Sequence, residues 1–488
     1  MKMVPGFGNL RGKGHEAVTP LLTAEACARI HAASLDILES VGVRVDDPEI
    51  LAILKRNGAR DSPEADTLRL PRELVADCLA TCPPTARFAD RRGGLRILGP
   101  TRAPEGGTVF WTGNALHVSE GSTRRELLTA DLAALTRVAE ACPEIDGMVG
   151  TSVADFPARA RDVVGFRVMA RHTAKHLRPC SFSPQGASAM IEMAQVLADA
   201  PLRERPIVSF GYSIVSPLHW SATGLGVFRH SAGHGLPLMI NSEPMGGGTA
   251  PVTLAGCLAL ANADALSGLV IAQLLERGRP VIFNLGFAHV LDMSSGLALT
   301  GAPENALLQS AGAEIARFHN LPSASWMSTE SMVADAQAGA ETMITGFAHA
   351  AHGVNIVWGA GNLESTLCMS AEMLVIDDDI IGSIRRFMRG IDVNEETLAL
   401  DLIREVGHRA DFLSTEHTVQ HFEREIRHTR LPARCRRHTW EREGSRNMVE
   451  RAAARVREIL AAPAEPHVSP EQDRELARIE SAHLAALG

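Results

Sequence analysis

A rhythm limits what this chain can fold into more than any single motif does. From about residue 130, short apolar runs recur at 145–149, 177–182, 207–214, 236–241, 280–285, 321–326 and 354–358. Their starts lie roughly 30–45 residues apart, the length of a βαβ unit. Helical stretches fill the intervals at 155–173, 187–198, 252–277, 303–319 and 334–351. Strict alternation predicts a parallel sheet covered by helices. Seven runs are plain, and either 108–111 or a stretch near 373–376 would supply an eighth. Eight strands close a (β/α)8 TIM barrel, whereas seven or fewer leave an open doubly wound sheet. The reading favours the α/β barrel over 126–392 as the catalytic domain. It is preceded over 1–125 by an extension of helices and a small antiparallel sheet, and followed over 393–488 by a helical extension.

Composition narrows the class of function. The chain has 488 residues, of which 45% are hydrophobic, so it can bury a large core and is not disordered. A net charge of −9 with both signs interspersed gives no basic face for nucleic acid. Eight cysteines are scattered, and only Cys78 and Cys82 lie close, with no second pair to complete a zinc site. Buried free thiols are expected. The first twenty residues carry no apolar leader core, and the most membrane-like run, 252–275, is interrupted by Asn262, Asp264 and Gln273. A buried small-residue helix in a cytoplasmic protein, with no membrane partner, is the expectation. Such helices permit close packing within or between subunits and do not choose between the two; a homo-oligomer is the expectation.

In a barrel the active site gathers at the C-terminal strand ends. Those ends read Ser183-Pro184-Gln185, then Tyr212 and Ser213, Asn241-Ser242-Glu243, Asn284 with Phe287, Trp326 through Glu330, and Trp358 followed by Gly359, Gly361, Asn362 and Glu364. Aromatic faces beside carboxylates suit a cation that cannot donate hydrogen bonds, such as a quaternary ammonium. Tyr212, Trp326 and Trp358 would form the box, with Glu243, Glu330 and Glu364 as charge partners. The bland alternative is that the rings plug the barrel mouth and the carboxylates are solvated. Gly246-Gly247-Gly248-Thr249 precedes the long apolar helix, so Gly247, Gly248 and Thr249 would present N–H groups to a carboxylate; a tight turn for close packing is the competing reading. Histidine pairs at 172/176, 230/234, 349/352 and 417/421 lack the pattern of a catalytic zinc helix, no metal is expected, and no nucleophile elbow is present.

Several runs together resemble a known family. They are GGGTAPVTLAGC at 246–257, GAPENALL at 301–308, DAQAGAE at 335–341, NIVWGAGNLES at 355–365, VIDDDIIGSIRR at 375–386 and NEETLALDLIREVG at 394–407. They are similar to the trimethylamine and glycine-betaine corrinoid methyltransferases, with the likeness running from about residue 22 to 460. The resemblance implies a barrel with a substrate pocket at its mouth and a separate corrinoid (cobalamin) protein that docks there. A methyl group would pass from a methylated amine to Co(I) of that partner, with no permanently bound cofactor. The trimethylamine enzymes carry pyrrolysine; this chain has only standard residues and so resembles the branch that uses betaines. In the betaine enzymes the neighbourhood matching Thr366 contacts substrate, and the 110–114 segment supplies a polar contact, here Asn114. Trp358 stands where related chains often have His; the Trp would enlarge the aromatic wall and shrink the pocket, which makes a betaine of another shape as fitting as glycine betaine.

Two other classes remain open on sequence. A non-catalytic betaine-binding or regulatory barrel would show the same box. A metal- or Schiff-base-dependent lyase would need a strand-end lysine or a His/carboxylate cluster, and lysines occur only at 2, 13, 55 and 175, none at a predicted strand end.

Overall fold

The computed structural model describes residues 20–100, 107–287, 289–409 and 411–487; the segment 1–19, read above for a leader, lies outside them. Eight short strands run parallel: β1 (Val109–Thr112), β2 (Gly147–Val149), β3 (His176–Arg178), β4 (Phe210–Ser213), β5 (Leu238–Asn241), β6 (Val281–Asn284), β7 (Ala324–Trp326) and β8 (Ile356–Ala360). β1 pairs with both β2 and β8, β2 with β3, β4 with β5, β5 with β6, and β7 with β8. Single parallel bridges, Leu177–Val208 and Phe283–Ser323, join β3 to β4 and β6 to β7. Of the two candidates for an eighth strand, the run at 108–111 is the parallel one, flanked by β2 and β8, rather than part of an antiparallel segment. The stretch at 373–376 lies inside the helix Ala371–Met388. This is an α/β fold.

The period of two along each strand sorts side chains between two cores. Val109, Trp111, Val149, Met239, Ile282, Ala324, Trp326, Ile356 and Trp358 pack together in one apolar cluster. Their neighbours Phe110, Met148, Leu177, Phe210, Leu238, Ile240, Phe283 and Val357 join a second cluster with the covering helices. An antiparallel hairpin, Ala86–Ala89 with Leu95–Leu98, adds Phe88 and Leu98 to the first cluster. The hairpin lines a cavity with Val109, Ile145 and His176, at the ends where strands begin, and leaves the opposite ends for a site.

The helix Leu254–Leu275 is the one long apolar helix among the described residues, and it is buried along most of its length. Its neighbours explain its composition: the helix Ala24–Ser40 packs along it, and Gly268 leaves room for Trp220, whose indole donates to Ser267 at 2.9 Å. Among the late helices, Met448–Ala461 packs on Ala371–Met388, and Pro470–Ala486 packs on Pro184–Leu197.

Candidate active site

Where the strands end, a cavity of about 370 Å³ is lined by side chains from most of them: Asn114, Arg178, Ser213, Asn241, Glu243, Phe287, His289, Trp326, Trp358 and Thr366 among others. The volume is at the small end of the roughly 300–1,000 Å³ usual for small-molecule sites.

A directed chain of hydrogen bonds underlies one wall. The Gly286 N–H donates to Asn284 Oδ1 at 2.8 Å, which leaves the Asn284 amide to donate to Asn241 Oδ1 at 2.8 Å. Asn241 in turn donates to Ser213 Oγ at 3.4 Å, and Ser213 donates to Glu243 Oε1. Each link has one donor direction open, so the chain ends on the carboxylate and favours its charged form. Burial pushes the other way: it raises the Glu243 carboxyl above its ordinary range, against the Ser213 donation and the nearby Arg178 charge.

The facing wall is aromatic. Phe287, Trp326 and Trp358 form a triangle with centroid separations of 5.0, 5.3 and 5.3 Å. Gln309, from the helix Pro303–Phe318, accepts the Trp326 backbone N–H at 2.8 Å and fixes that strand end. Arg178 lies over Trp358, its guanidinium carbon 4.3 Å from the ring centre. Such a contact is worth about 0.5–2 kcal/mol. The indole N–H groups of Trp326 and Trp358 and the Arg178 Nε are buried without a hydrogen-bond partner among the described residues.

Ser213 and Phe287, named on sequence only as strand ends, line this cavity, as do six of the residues assigned a substrate contact there: Asn114, Asn241, Glu243, Trp326, Trp358 and Thr366. The others do not. Tyr212 sits at the odd position between Gly211 and Ser213, so it points away from the strand interior and lies against Gly224, where a Cβ would stand 2.6 Å from its ring. The glycine run is a turn: Gly247 N–H donates to Ala250 O, and the N–H groups of Gly248 and Thr249 donate to Met245 O at 2.8 and 2.9 Å. With those donors already used, Gly247, Gly248 and Thr249 have no backbone N–H left for an anion, and the helix begins only at Leu254. Glu330 accepts the backbone N–H groups of Thr300 and Gly301 and so holds the loop whose Ala298 and Thr300 line the cavity, without lining it itself. Glu364 pairs with Arg124. Asn362 is buried and donates to Asn114 O at 2.9 Å, which positions the loop after β1.

Glu364, Ser365 and Thr366 are three consecutive non-glycine residues with φ of 53°, 48° and 79°. The left-handed region costs about 1–2 kcal/mol per residue. Backbone bonds from Glu364 to Ser331 O at 2.9 Å and from Ser365 to Thr329 O at 2.8 Å hold the turn, which brings Ser365 and Thr366 to the cavity.

Residues 11–481 match the family described as trimethylamine methyltransferase (MTTB). The chain belongs to the trimethylamine methyltransferase family. It is a methyltransferase. Similar proteins include a trimethylamine methyltransferase of Desulfitobacterium hafniense, 30% identical over 438 residues, 88% of this chain and 87% of that one. A trimethylamine methyltransferase of Methanosarcina barkeri is 31% identical over 480 residues, 94% and 93% of the two chains. A glycine betaine methyltransferase of Desulfitobacterium hafniense is also 31% identical, over 472 residues, 93% and 95%. The crystal structure of the Methanosarcina barkeri monomethylamine methyltransferase aligns over 95% of this chain and 98% of its own at 12% identity, with a TM-score of 0.46.

Sequence reasoning overlooked several side chains that line the cavity of this family member, Arg178 first among them. The apolar run 177–182 predicts a strand that ends at Phe182, with Ser183 at its mouth; β3 stops at Arg178. The available signal was the arginine itself, interrupting an otherwise apolar run in step with the inward-facing His176.

Proposed function

We propose that this protein moves a methyl group from a quaternary amine, glycine betaine or a related betaine, to the Co(I) corrinoid of a separate protein and releases a tertiary amine. The observation that carries the reading is the cavity at the strand C-termini, where three aromatic rings and the relay-held carboxylate of Glu243 converge. A quaternary nitrogen has neither an N–H nor a lone pair, so hydrogen bonds cannot hold it; ring faces and a carboxylate can. We also read the eight strands as a closed (β/α)8 barrel that starts at β1, near residue 109 rather than 126, and runs to about 392, a reading supported by the β8–β1 pairing.

Displacement at a methyl carbon of a quaternary ammonium expels a neutral amine, so no general acid is required. Co(I) would supply the nucleophile. The chain's own part is to bind the cation, exclude water and aim one methyl group outward. As the positive charge fades toward the transition state, attraction to Glu243 and the rings weakens. These groups therefore serve affinity more than the chemical step.

A protein acceptor has to reach the cavity. Leu116, Val215, Val252, Met293, Leu297, Met332 and Leu367 are exposed, and each lies in a loop after the C-terminal end of a parallel strand. An apolar rim of this kind supports docking of a protein over the mouth.

The test is a panel of betaines and other quaternary amines with reduced cob(I)alamin, read by the acceptor's absorbance and by the tertiary amine released. Transfer from at least one of them is expected. Saturable binding with no transfer from any would make the protein a binding module instead.

A further inference from the structure

We propose that Arg178, together with the indole N–H groups of Trp326 and Trp358, forms an anion subsite that takes the carboxylate of a zwitterionic quaternary amine. The inference rests on the cavity being the amine site described above, and it moves the carboxylate from the glycine turn to a strand end. Arg178 is 5% exposed, yet its side chain makes no hydrogen bond or ion pair among the described residues. Buried charges are normally paired, and buried donors normally find acceptors.

The other buried arginine among the described residues shows the usual pattern. Arg279 donates to Leu236 O at 3.0 Å, Phe228 O at 3.3 Å and Ser231 Oγ at 2.9 Å, with Glu276 alongside. Arg178 has only the face of Trp358. Stacking on that face fixes the guanidinium and leaves its N–H edge for a planar acceptor, the geometry in which arginine holds carboxylates two bonds at a time. The two unpartnered indole N–H groups line the same cavity, and Trp326 and Trp358 are only 4% and 1% exposed. Together these are a cation and three buried donors with no acceptor.

The opposite charge is also present in the cavity. Glu243 acts electrostatically on Arg178, but no ion pair between them is within contact distance. A site with a separated carboxylate and guanidinium is complementary to a ligand with an ammonium and a carboxylate. A quaternary amine lacking the carboxylate would meet an unpaired buried cation, so Arg178 discriminates by repulsion as well as by attraction.

Binding is measured calorimetrically without any methyl acceptor, so that a failure to transfer methyl groups leaves the result readable. The probes are glycine betaine, γ-butyrobetaine and carnitine, with choline as the carboxylate-free partner. The wild-type protein is expected to bind its best carboxylate probe at least about tenfold more tightly than choline. Arg178→Met should weaken that probe by roughly 10- to 100-fold, the range for a lost charge-assisted hydrogen bond, while choline binds equally or more tightly. Methylguanidinium should restore part of the loss. Arg178→Lys, which keeps the charge but not the fork, should lose roughly three- to tenfold, and it covers the case in which the methionine variant does not fold. Three results would overturn the proposal: no preference for a carboxylate in the wild type, equal weakening of choline and the carboxylate probes in the variants, or no change in either.

Discussion

The guanidinium of Arg178 stacks on the ring of Trp358, 4.3 Å from its centre, inside the cavity that Glu243 also lines. One face of Trp358 is therefore taken by the protein's own cation. The ring surfaces left for a ligand cation are those of Trp326 and Phe287, together with the rest of Trp358. The stack orders the cavity into a region that attracts anions and one that attracts cations, and a box of rings alone would not make that division.

Affinity for a quaternary amine is expected to fall as the pH is lowered, because the charged form of Glu243 does the attracting. Burial raises its folded-state pKa above the ordinary glutamate range, and the Ser213 hydroxyl opposes that rise. In Ser213→Ala the opposing donor is gone, so the loss of affinity should begin at a higher pH than in the wild type. Calorimetric titrations between about pH 5 and 8 check both the direction and the displacement. An affinity independent of pH in both proteins would contradict the role given to Glu243.

Tyr212→Phe and Gly248→Ala should leave amine affinity within about twofold. Tyr212 faces the helix Ala222–His230, and the Gly248 N–H is already bonded to Met245 O at 2.8 Å. These two substitutions separate the site found in the structure from the one expected on sequence. A loss of tenfold or more in either would restore the earlier assignment.

The difference between those two sites has a physical cause. The βαβ rhythm is carried by apolar periodicity, which burial enforces, so the strands and helices were legible in the sequence to within a few residues. Glu243, Trp326, Trp358 and Asn241 were legible because they fall at strand ends with the right parity, whereas Asn114 and Thr366 were legible only through the family resemblance. Tyr212 was not, because one residue of register sends a strand side chain to the opposite face. The role of Gly247 to Thr249 was hidden because sequence cannot show which carbonyls have already claimed an N–H. Arg178 was missed because a strand end was placed four residues too late, and a charged residue inside an apolar run looks like an interruption rather than a ligand group.

Stability should depend on Asp377. This buried side chain of the helix Ala371–Met388 accepts the Gly361 N–H at 2.7 Å and so ties down the loop after β8. Burial pushes its carboxyl up to about 8. A folded-state value above the unfolded one means that its contribution is complete below about pH 4 and is lost as the pH rises through about 8. Asp377→Asn keeps an acceptor oxygen and removes the ionisation. Denaturant unfolding should show the wild type losing stability relative to the variant between about pH 4 and 8, with a slope of up to about 1.4 kcal/mol per pH unit. Parallel profiles would show that Asp377 ionises without penalty.

The apolar rim should matter only to a protein acceptor. Met293→Asp and Met332→Asp are exposed changes, at 73% and 60% exposure. They should leave amine binding and transfer to free cob(I)alamin intact, and slow transfer to a corrinoid protein by roughly tenfold or more, the cost of a charge in an apolar contact. Equal slowing with both acceptors would place these residues in folding or in the amine site rather than in docking.

The most direct measurement is the initial rate of methyl transfer from a betaine to cob(I)alamin by the wild type and by Glu243→Gln, over a range of betaine concentrations. The expected result is transfer by the wild type and a kcat/KM at least about tenfold lower in the variant, with most of the loss in KM. Transfer at the same kcat/KM by both proteins, or none by the wild type from any quaternary amine, would contradict a methyl-transfer site built around Glu243.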